Sequence, residues 1–204
     1  MNINLYPCFS HWLPYNNIFV YSDPHFGDEE MKFIRHNYVG DDEQVRRINS
    51  KVGKKDIIIF LGDIGDVEFI KKIRGRKVLV MGNHDAGATN YRRRAYIDGE
   101  GKAVDTRLFD EVYEGVVCIN EKVILSHEPV NIPFLFNIHG HDHSGWSSTK
   151  GHKNVCAEHI NYTPVPLKDI LLSGDLKYIE SIHRATIDEA TERSKKKGKT
   201  RYAK

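Results

Sequence analysis

The sequence predicts an α/β fold in which short apolar strands alternate with helices. The chain contains several short runs rich in β-branched residues, the clearest of which spans positions 56–61. Segments with apolar residues at helical spacing lie between some of these runs, an alternation typical of layered α/β proteins. In addition, clusters of Asp, Asn and His directly follow the runs. Ligands bind at that end of the strands in open α/β sheets.

The predicted strands are nearly continuous apolar segments, and runs this apolar are expected to be covered on both faces. They span positions 18–21, 56–61, 77–81, 122–125 and 134–138. Two closing strands are predicted at 154–157 and 162–165. Pro164 and Pro166 place the second of these at a sheet edge or a chain end.

Helices are predicted between the strands. Helical spacing indicates helices over 28–38 and 42–52, with Asp41 or Asp42 as the N-cap of the second. Another helix is expected where three apolar residues lie one turn apart, namely Val67, Ile70 and Ile73.

The C-terminal part of the chain divides into a helix and a basic tail. A modest apolar stripe predicts a docked helix over 175–193. Residues 194–204 are basic and contain little that could be buried, so we expect a mobile tail there. The remaining residues, 1–193, are predicted to form a single domain.

The composition is that of an ordinary globular protein. The net charge of +2 over 204 residues is too small to indicate nucleic-acid binding by itself. No apolar run approaches the roughly 20 residues of a membrane helix, and the N-terminus lacks the features of a signal peptide. Three scattered cysteines, Cys8, Cys118 and Cys156, argue against a disulfide framework. We expect a cytoplasmic protein with mostly buried thiols, no membrane contact and no obligate protein partner.

Five polar blocks carry the residues that could bind metal ions. In chain order they are Asp23-x-His25, Gly62-Asp63, Gly82-Asn83-His84-Asp85, His127 and Gly140-His141-x-His143. Oxygen and imidazole donors without thiolate suit Mn²⁺, Fe, Zn²⁺ or Ni²⁺. Second neighbours on an extended segment project to the same side, so Asp23 and His25 could reach one metal. His141 and His143 could share a metal or divide between two.

In order, type and position after strands, the five blocks resemble those of the calcineurin-like metallophosphoesterases, particularly the small bacterial and phage members. The resemblance extends from about residue 18 to residue 165. It implies a two-sheet β-sandwich flanked by helices, in four layers, and two divalent ions with Mn²⁺ as the first choice. One ion would be held by Asp23, His25, Asp63 and His143, and the other by Asp63, Asn83, His127 and His141.

The resemblance also implies a reaction, the hydrolysis of a phosphate ester by a metal-bridging hydroxide. His84 would stabilise the transition state or protonate the leaving group, and Asp85 would orient His84 through a ring N–H. Two positions depart from the family pattern, because Asp28 stands where many relatives carry His, and Asp142 where Thr or Ser is common. Both add negative charge near the site. His139 is expected to pack in its strand or turn away from the metals.

Several functions stay open. A phosphodiesterase is favoured because the chain has no large cap insertion that would cover the metals, and a phosphomonoesterase is the next candidate. A non-catalytic scaffold on the same fold is a third. A nuclease or nucleic-acid-binding protein is a fourth, since the basic tail and Arg92, Arg93 and Arg94 could contact phosphates and Tyr91 and Tyr96 could stack a base. For the arginines, a solvated helix face is the favoured alternative.

Overall fold

The computed structural model describes residues 4–85, 96–97, 103–104 and 107–201. Arg92, Arg93, Arg94 and Tyr91 lie outside these residues, as does the side chain of Tyr96. No helix in the described part of the chain is both long enough and apolar enough to cross a membrane.

The first sheet is mainly parallel and contains the first three predicted strands. These are β1 (Ile18–Tyr21), β2 (Ile57–Phe60) and β3 (Arg76–Val80). After a separate antiparallel pair, β4 (Tyr96–Ile97) and β5 (Ala103–Val104), strand β6 (Glu111–Tyr113) joins β3 in parallel. A late strand (Val165–Pro166), β11 in chain order, pairs antiparallel with β1 and closes the edge, so the order is β11-β1-β2-β3-β6. The predicted edge position beside the prolines is therefore confirmed.

The second sheet has four strands in the order β10-β9-β8-β7. They are β7 (Val117–Cys118), β8 (Val123–Leu125), β9 (Phe136–His139) and β10 (His152–Asn154). Strands β8, β9 and β10 are parallel, whereas β7 is antiparallel to β8.

The two sheets pack face to face because alternate residues of each strand point to opposite sides. Ile57 and Ile59 of β2 belong to one buried cluster with Leu125 and Ile138 of the second sheet. Ile58 belongs to a second cluster on the other face, together with apolar residues of the helices that cover it. The described residues thus form three layers, helices against a sheet against a sheet. The expectation that the apolar strands are covered on both faces is confirmed for the first sheet.

Two of the predicted helices are shorter in the structure, namely α1 (Met31–Ile34) and α3 (Glu68–Lys71). Helix α2 (Asp41–Lys51) has the predicted length and begins one residue earlier than predicted. The predicted Asp cap of α2 is wrong, because Gly40 occupies the cap position with φ of 84°. Asp41 instead accepts hydrogen bonds from the Gly27 N–H (2.9 Å) and the Tyr38 hydroxyl (2.7 Å), which ties α2 to the loop after β1.

The C-terminal region differs most from the prediction. Residues 157–160 form a 3₁₀ turn, Ala157–Ile160, rather than ending a strand, and α4 (Leu167–Leu171) was not predicted. A second 3₁₀ turn covers Gly174–Tyr178. Helix α5 runs over Ile182–Arg201 and so extends beyond the predicted end at residue 193. Its start is anchored where the Ile182 N–H donates to the carbonyl of Glu121 at 3.1 Å. From 186 to 197 its side chains are exposed.

The cysteines are free, as expected, but only Cys156 is fully buried. Cys8 is exposed and Cys118 is partly exposed. The expectation of mostly buried thiols is therefore wrong for Cys8, which lies in a 3₁₀ turn at the surface.

Candidate metal centre

The five polar blocks meet at one end of the sandwich because they follow the carboxyl ends of strands in both sheets. The blocks after β1, β2 and β3 come from the first sheet, and those after β8 and β9 come from the second. Four predicted ligands have positive φ, namely Asp23 (54°), His25 (46°), Asp63 (53°) and His141 (63°). Positive φ is uncommon for residues other than glycine and clusters at functional sites, where surrounding contacts hold it in place.

One cluster of ligand atoms surrounds the carboxylate of Asp23. His25 Nε2 lies 4.0 Å from Asp23 Oδ1 and 3.6 Å from Asp63 Oδ2, and His143 Nε2 lies 3.7 Å from Asp23 Oδ1. Asp23 Oδ1 and His25 Nε2 are buried and have no hydrogen-bond partner. Orphaned buried polar atoms in a native site call for an ion or a water. We name these four residues the first cluster.

A second cluster shares one atom with the first. His127 Nε2 lies 3.3 Å from Asp63 Oδ2, 2.8 Å from Asn83 Oδ1 and 3.1 Å from His141 Nδ1. Asn83 Oδ1 and His141 Nδ1 are 3.1 Å apart. We name Asp63, Asn83, His127 and His141 the second cluster. Asp63 Oδ2 faces both clusters.

The spacing of these atoms fits divalent cations. Ions bound at about 2.1 Å bring neighbouring donor atoms to roughly 3–3.5 Å from one another. Within each of the groups Asp63, His127, His141 and Asp23, His25, Asp63, ligand atoms lie within 4.8 Å of one another. His143 and Asn83 lie beside these groups, so the structure brings together all seven predicted metal ligands.

Cys156 also lies beside Asp23, but its thiol acts as a donor. Its Sγ is 3.2 Å from Asp23 Oδ2. Burial, and next the charge of Asp23, raise the pKa of Cys156 well above its ordinary value. Asp23, His143 and Cys156 form a third group whose ligand atoms lie within 4.8 Å of one another, and in the structure the Cys156 thiol donates to Asp23.

Asp85 has a different role from the predicted one. Its carboxylate is fully buried and accepts backbone N–H groups of Gly82 (2.9 Å), Asp63 (2.9 Å) and Ile64 (3.1 Å). Among the described residues, Asp85 makes no hydrogen bond to the His84 ring. The prediction that Asp85 orients His84 is contradicted, because the carboxylate turns inward to join the loops after β2 and β3.

His84 lies at the rim of the centre. Its side chain is 66% exposed, and Nε2 lies 4.0 Å from Asp63 Oδ2. Its backbone N–H donates to Asp63 Oδ1 at 3.0 Å, which fixes the position of the His84 backbone. The ring is thus close to both clusters and open to solvent.

His127 is held by the backbone on its far side. Its Nδ1 is 2.7 Å from the carbonyl oxygen of Leu61, which leaves Nε2 facing the cluster. Burial lowers the pKa of His127, but Asp63 and Asp23 outweigh that and raise the pKa to about 9. A metal ion that binds here must displace a proton from His127.

The loops approach so closely that glycine is required at two positions. A Cβ on Gly62, where φ is 93°, would lie 2.5 Å from His127 Nδ1, and a Cβ on Gly82 would lie 2.3 Å from Asp63 Oδ1. The glycines that precede two of the ligands in sequence are therefore required for the ligands to come together.

The two departures from the family pattern have separate surroundings. Asp28 Oδ2 lies 3.9 Å from Nδ1 of His25, on the side away from the first cluster. Asp142 accepts the N–H groups of Ser144 (3.0 Å) and Ser147 (2.8 Å) and fixes its own loop. Burial opposes ionisation of Asp142, but the side chains and then the N–H groups of Ser144 and Ser147 hold its pKa below the ordinary range. His139 is buried at the end of β9, with Nδ1 2.8 Å from the carbonyl of Gly140, so its expected packing in the strand is confirmed.

Two charged residues that the sequence did not indicate lie behind the first cluster. Glu158 Oε1 is 2.6 Å from His143 Nδ1, and Arg35 Nη2 donates to the backbone carbonyl of Asp23 at 2.8 Å. Neither belongs to a polar block after a strand. Nothing in the sequence except their position near the blocks suggests a role at the site, and no sequence pattern indicates that Arg35 and Glu158 contact each other.

The chain resembles a solved protein structure in its fold. No protein-family model matches the chain, and no curated protein matches it. A solved structure of a protein of unknown function, AQ665 from Aquifex aeolicus, is similar with a TM-score of 0.57 and 21% identity over 76% of this chain and 97% of that chain. The Pseudomonas putida nuclease MPE matches with a TM-score of 0.42 and 20% identity over 65% of this chain and 64% of that one. The first likeness shows a shared fold alone, and the second is too distant to carry an argument.

Proposed function

We propose that this chain is a two-metal phosphoesterase of the calcineurin-like type that hydrolyses phosphate esters, with phosphodiesters favoured. The observation that carries the proposal is Asp63 Oδ2, which faces His25 Nε2 at 3.6 Å and His127 Nε2 at 3.3 Å and so belongs to both clusters. A carboxylate placed between two sets of ligands is what a pair of adjacent divalent ions requires. The four-layer sandwich expected for that family is part of the proposal.

The two clusters divide the ligands between two ions. The first cluster would hold one ion, the second cluster the other, and Asp63 would contact both. Mn²⁺ is the first choice, with Fe, Zn²⁺ and Ni²⁺ as alternatives. Two divalent ions held in this way supply a Lewis-acid clamp for phosphoryl oxygens and an activated water.

The remaining chemistry falls to residues of the chain. His84, whose backbone N–H donates to Asp63, would donate a proton to the leaving oxygen of a bound ester. Asp85 keeps the loops of Asp63 and Asn83 in register through the backbone. Among the described residues of the centre, Asn83, His84 and His141 are exposed to solvent. This exposure favours an ester with substituents on both sides of phosphorus, that is, a phosphodiester such as a nucleotide or nucleic acid.

The test is turnover of bis-p-nitrophenyl phosphate and p-nitrophenyl phosphate by the full chain with added Mn²⁺. We expect Asp63→Ala to lose bound metal and turnover together, and His84→Ala to keep its metal but lose turnover by about 10²–10⁴-fold. His183→Ala, at an exposed histidine in α5, is the matched control and should behave as wild type.

The outcomes separate the functional classes. A preference for the diester supports the favoured reading, and a preference for the monoester would replace it with a phosphomonoesterase. Cleavage of oligonucleotides under the same conditions would identify a nuclease. Metal-loaded protein that turns over none of these substrates would favour a scaffold, and turnover by Asp63→Ala would refute the assignment of the centre.

A further inference from the structure

A buried pair of opposite charges lies directly behind the first cluster. Arg35 follows α1 and its side chain is 1% exposed, while Glu158 lies in the 3₁₀ turn after β10 and its side chain is 9% exposed. Arg35 Nε and Glu158 Oε2 are 3.6 Å apart. Both atoms, together with Arg35 Nη1, are buried without a hydrogen-bond partner. An ion pair with unfilled hydrogen bonds contributes little to folding because desolvation offsets its attraction.

The pair contacts two members of the first cluster. Glu158 Oε1 lies 2.6 Å from His143 Nδ1, and a carboxylate at that distance favours the tautomer with its proton on Nδ1. The lone pair of His143 Nε2 then faces Asp23 Oδ1, which is 3.7 Å away. Arg35 Nη2 donates to the Asp23 carbonyl at 2.8 Å and holds the backbone of this strained residue, whose φ is 54°.

The second cluster has no equivalent ion pair among the described contacts. His127 Nδ1 faces the neutral carbonyl of Leu61 at 2.7 Å. The backbone N–H of His141 donates to Asp23 Oδ2 at 2.9 Å, and its Nδ1 faces the cluster itself. The charged support is therefore specific to one half of the centre.

We propose that Glu158 and Arg35 are positioning residues that set the metal affinity of the first cluster independently of the second. The proposal rests on the proposed function, since it presupposes two metal sites. Glu158 fixes the tautomer and direction of His143, and Arg35 balances the buried carboxylate and fixes Asp23. Residues that hold metal ligands in this way typically change metal affinity 10–100-fold when they are replaced.

The test is a Mn²⁺ titration of the chelator-treated full chain, with bound metal counted after dialysis and followed by electron paramagnetic resonance. Wild type should bind two ions and show the spectrum of a coupled pair. Glu158→Gln keeps the shape of the side chain but removes the charge, and its amide can face Nδ1 with either end. We expect this variant to bind one ion as wild type does and the other about 10–100-fold more weakly. The spectrum at two equivalents should then be that of isolated Mn²⁺.

Glu111→Gln is the matched control. Glu111 also lies between a histidine and an arginine, His11 at 3.0 Å and Arg76 at 3.0 Å, but at the start of β6. The Glu111→Gln substitution should destabilise the fold without changing the Mn²⁺ affinity of either cluster. Urea unfolding of the metal-free variants shows how much of any effect is loss of folding.

The outcomes distinguish failure of this inference from failure of the proposed function. Wild type that binds no Mn²⁺ overturns both. If wild type binds two ions and Glu158→Gln binds them with the same two affinities, the positioning role is overturned and the proposed phosphoesterase function is unaffected. An equal weakening of binding at both sites has the same meaning. If Glu158→Gln does not fold, Glu158→Asp keeps the charge and shortens the reach. It should weaken one site only, and unchanged binding by that variant would equally overturn the inference.

Discussion

Replacing Asp85 with asparagine tests whether this residue acts on the backbone or on His84. In the structure, one carboxylate oxygen accepts the N–H groups of Gly82 and Asp63, both at 2.9 Å, and the other accepts that of Ile64 at 3.1 Å. Asparagine has one carbonyl oxygen, which can keep two of the three bonds. Its NH₂ group must then face the N–H of Ile64, donor against donor.

The expected loss of folding stability follows from these three hydrogen bonds. The buried N–H of Ile64 is left without an acceptor, which costs about 1–3 kcal/mol. Each of the other two bonds changes from a charged acceptor, worth ~1.5–3 kcal/mol, to a neutral one, worth ~0.5–1.5 kcal/mol. Together, the free energy of unfolding should fall by about 3–6 kcal/mol. With a urea m-value of about 2 kcal/mol/M, the midpoint drops by roughly 1.5–3 M.

The assay is urea unfolding of the metal-free chain, followed by Mn²⁺ titration of the folded protein. Asp85→Asn should be less stable and should bind Mn²⁺ more weakly, because Asp85 joins the loops that carry Asp63 and Asn83. His84→Ala is the comparison, and its stability should stay within about 0.5 kcal/mol of wild type, since its ring is exposed. An Asp85→Asn protein with wild-type stability and metal affinity but no turnover would refute the backbone role. It would restore the predicted one through His84.

Further predictions concern the loops, the core and the pH dependence. Gly62→Ala forces a residue with a side chain into positive φ at a cost of at least about 1–2 kcal/mol, and the added methyl group pushes against His127. Both the free energy of unfolding and Mn²⁺ affinity should therefore fall in the same titrations. Unchanged stability and affinity would contradict the close approach of Gly62 to His127. Phe136→Ala, between the sheets, should cost ~3–5 kcal/mol in urea unfolding, whereas Trp146→Ala, at a side chain that is 88% exposed, should change stability by no more than about 0.5 kcal/mol. Burial raises the pKa of Glu111, but hydrogen bonds from its neighbours outweigh burial and leave the pKa below its ordinary 4.5. The contribution of ionised Glu111 to stability is therefore complete above pH 4.5 and is lost as the pH falls through the lowered pKa. The stability of Glu111→Gln should therefore depend less steeply on acid pH than that of wild type. An identical acid profile would contradict the assignment.

The sequence predicted the strands well, and it indicated side chains that the structure brings together, because both depend on local pattern. A run such as 56–61 is too apolar to be anything but buried, and the glycine and aspartate that follow it must lie at its end. Five blocks in a fixed order then indicated which side chains converge. The structure brings the seven predicted ligands together at one end of the sandwich.

The helices were predicted less well because tertiary contacts decide where they end. Helix α1 stops at Ile34 although the spacing continues, since Arg35 is extended (φ −101°, ψ 113°) and its side chain reaches the carbonyl of Asp23. Similarly, α2 begins after Gly40, and Asp41 is used to hold the loop after β1 instead of capping the helix.

The sequence by itself determined the residue types of the centre, because ligand chemistry and strand ends are properties of short segments. Only the tertiary structure decided how those residues are supported. Asp85 turns to three backbone N–H groups instead of His84, and Glu158 meets His143 and Arg35 from a distant part of the chain. These contacts depend on how two sheets pack against each other, and no short-range pattern encodes which side chain will fill the space behind a ligand.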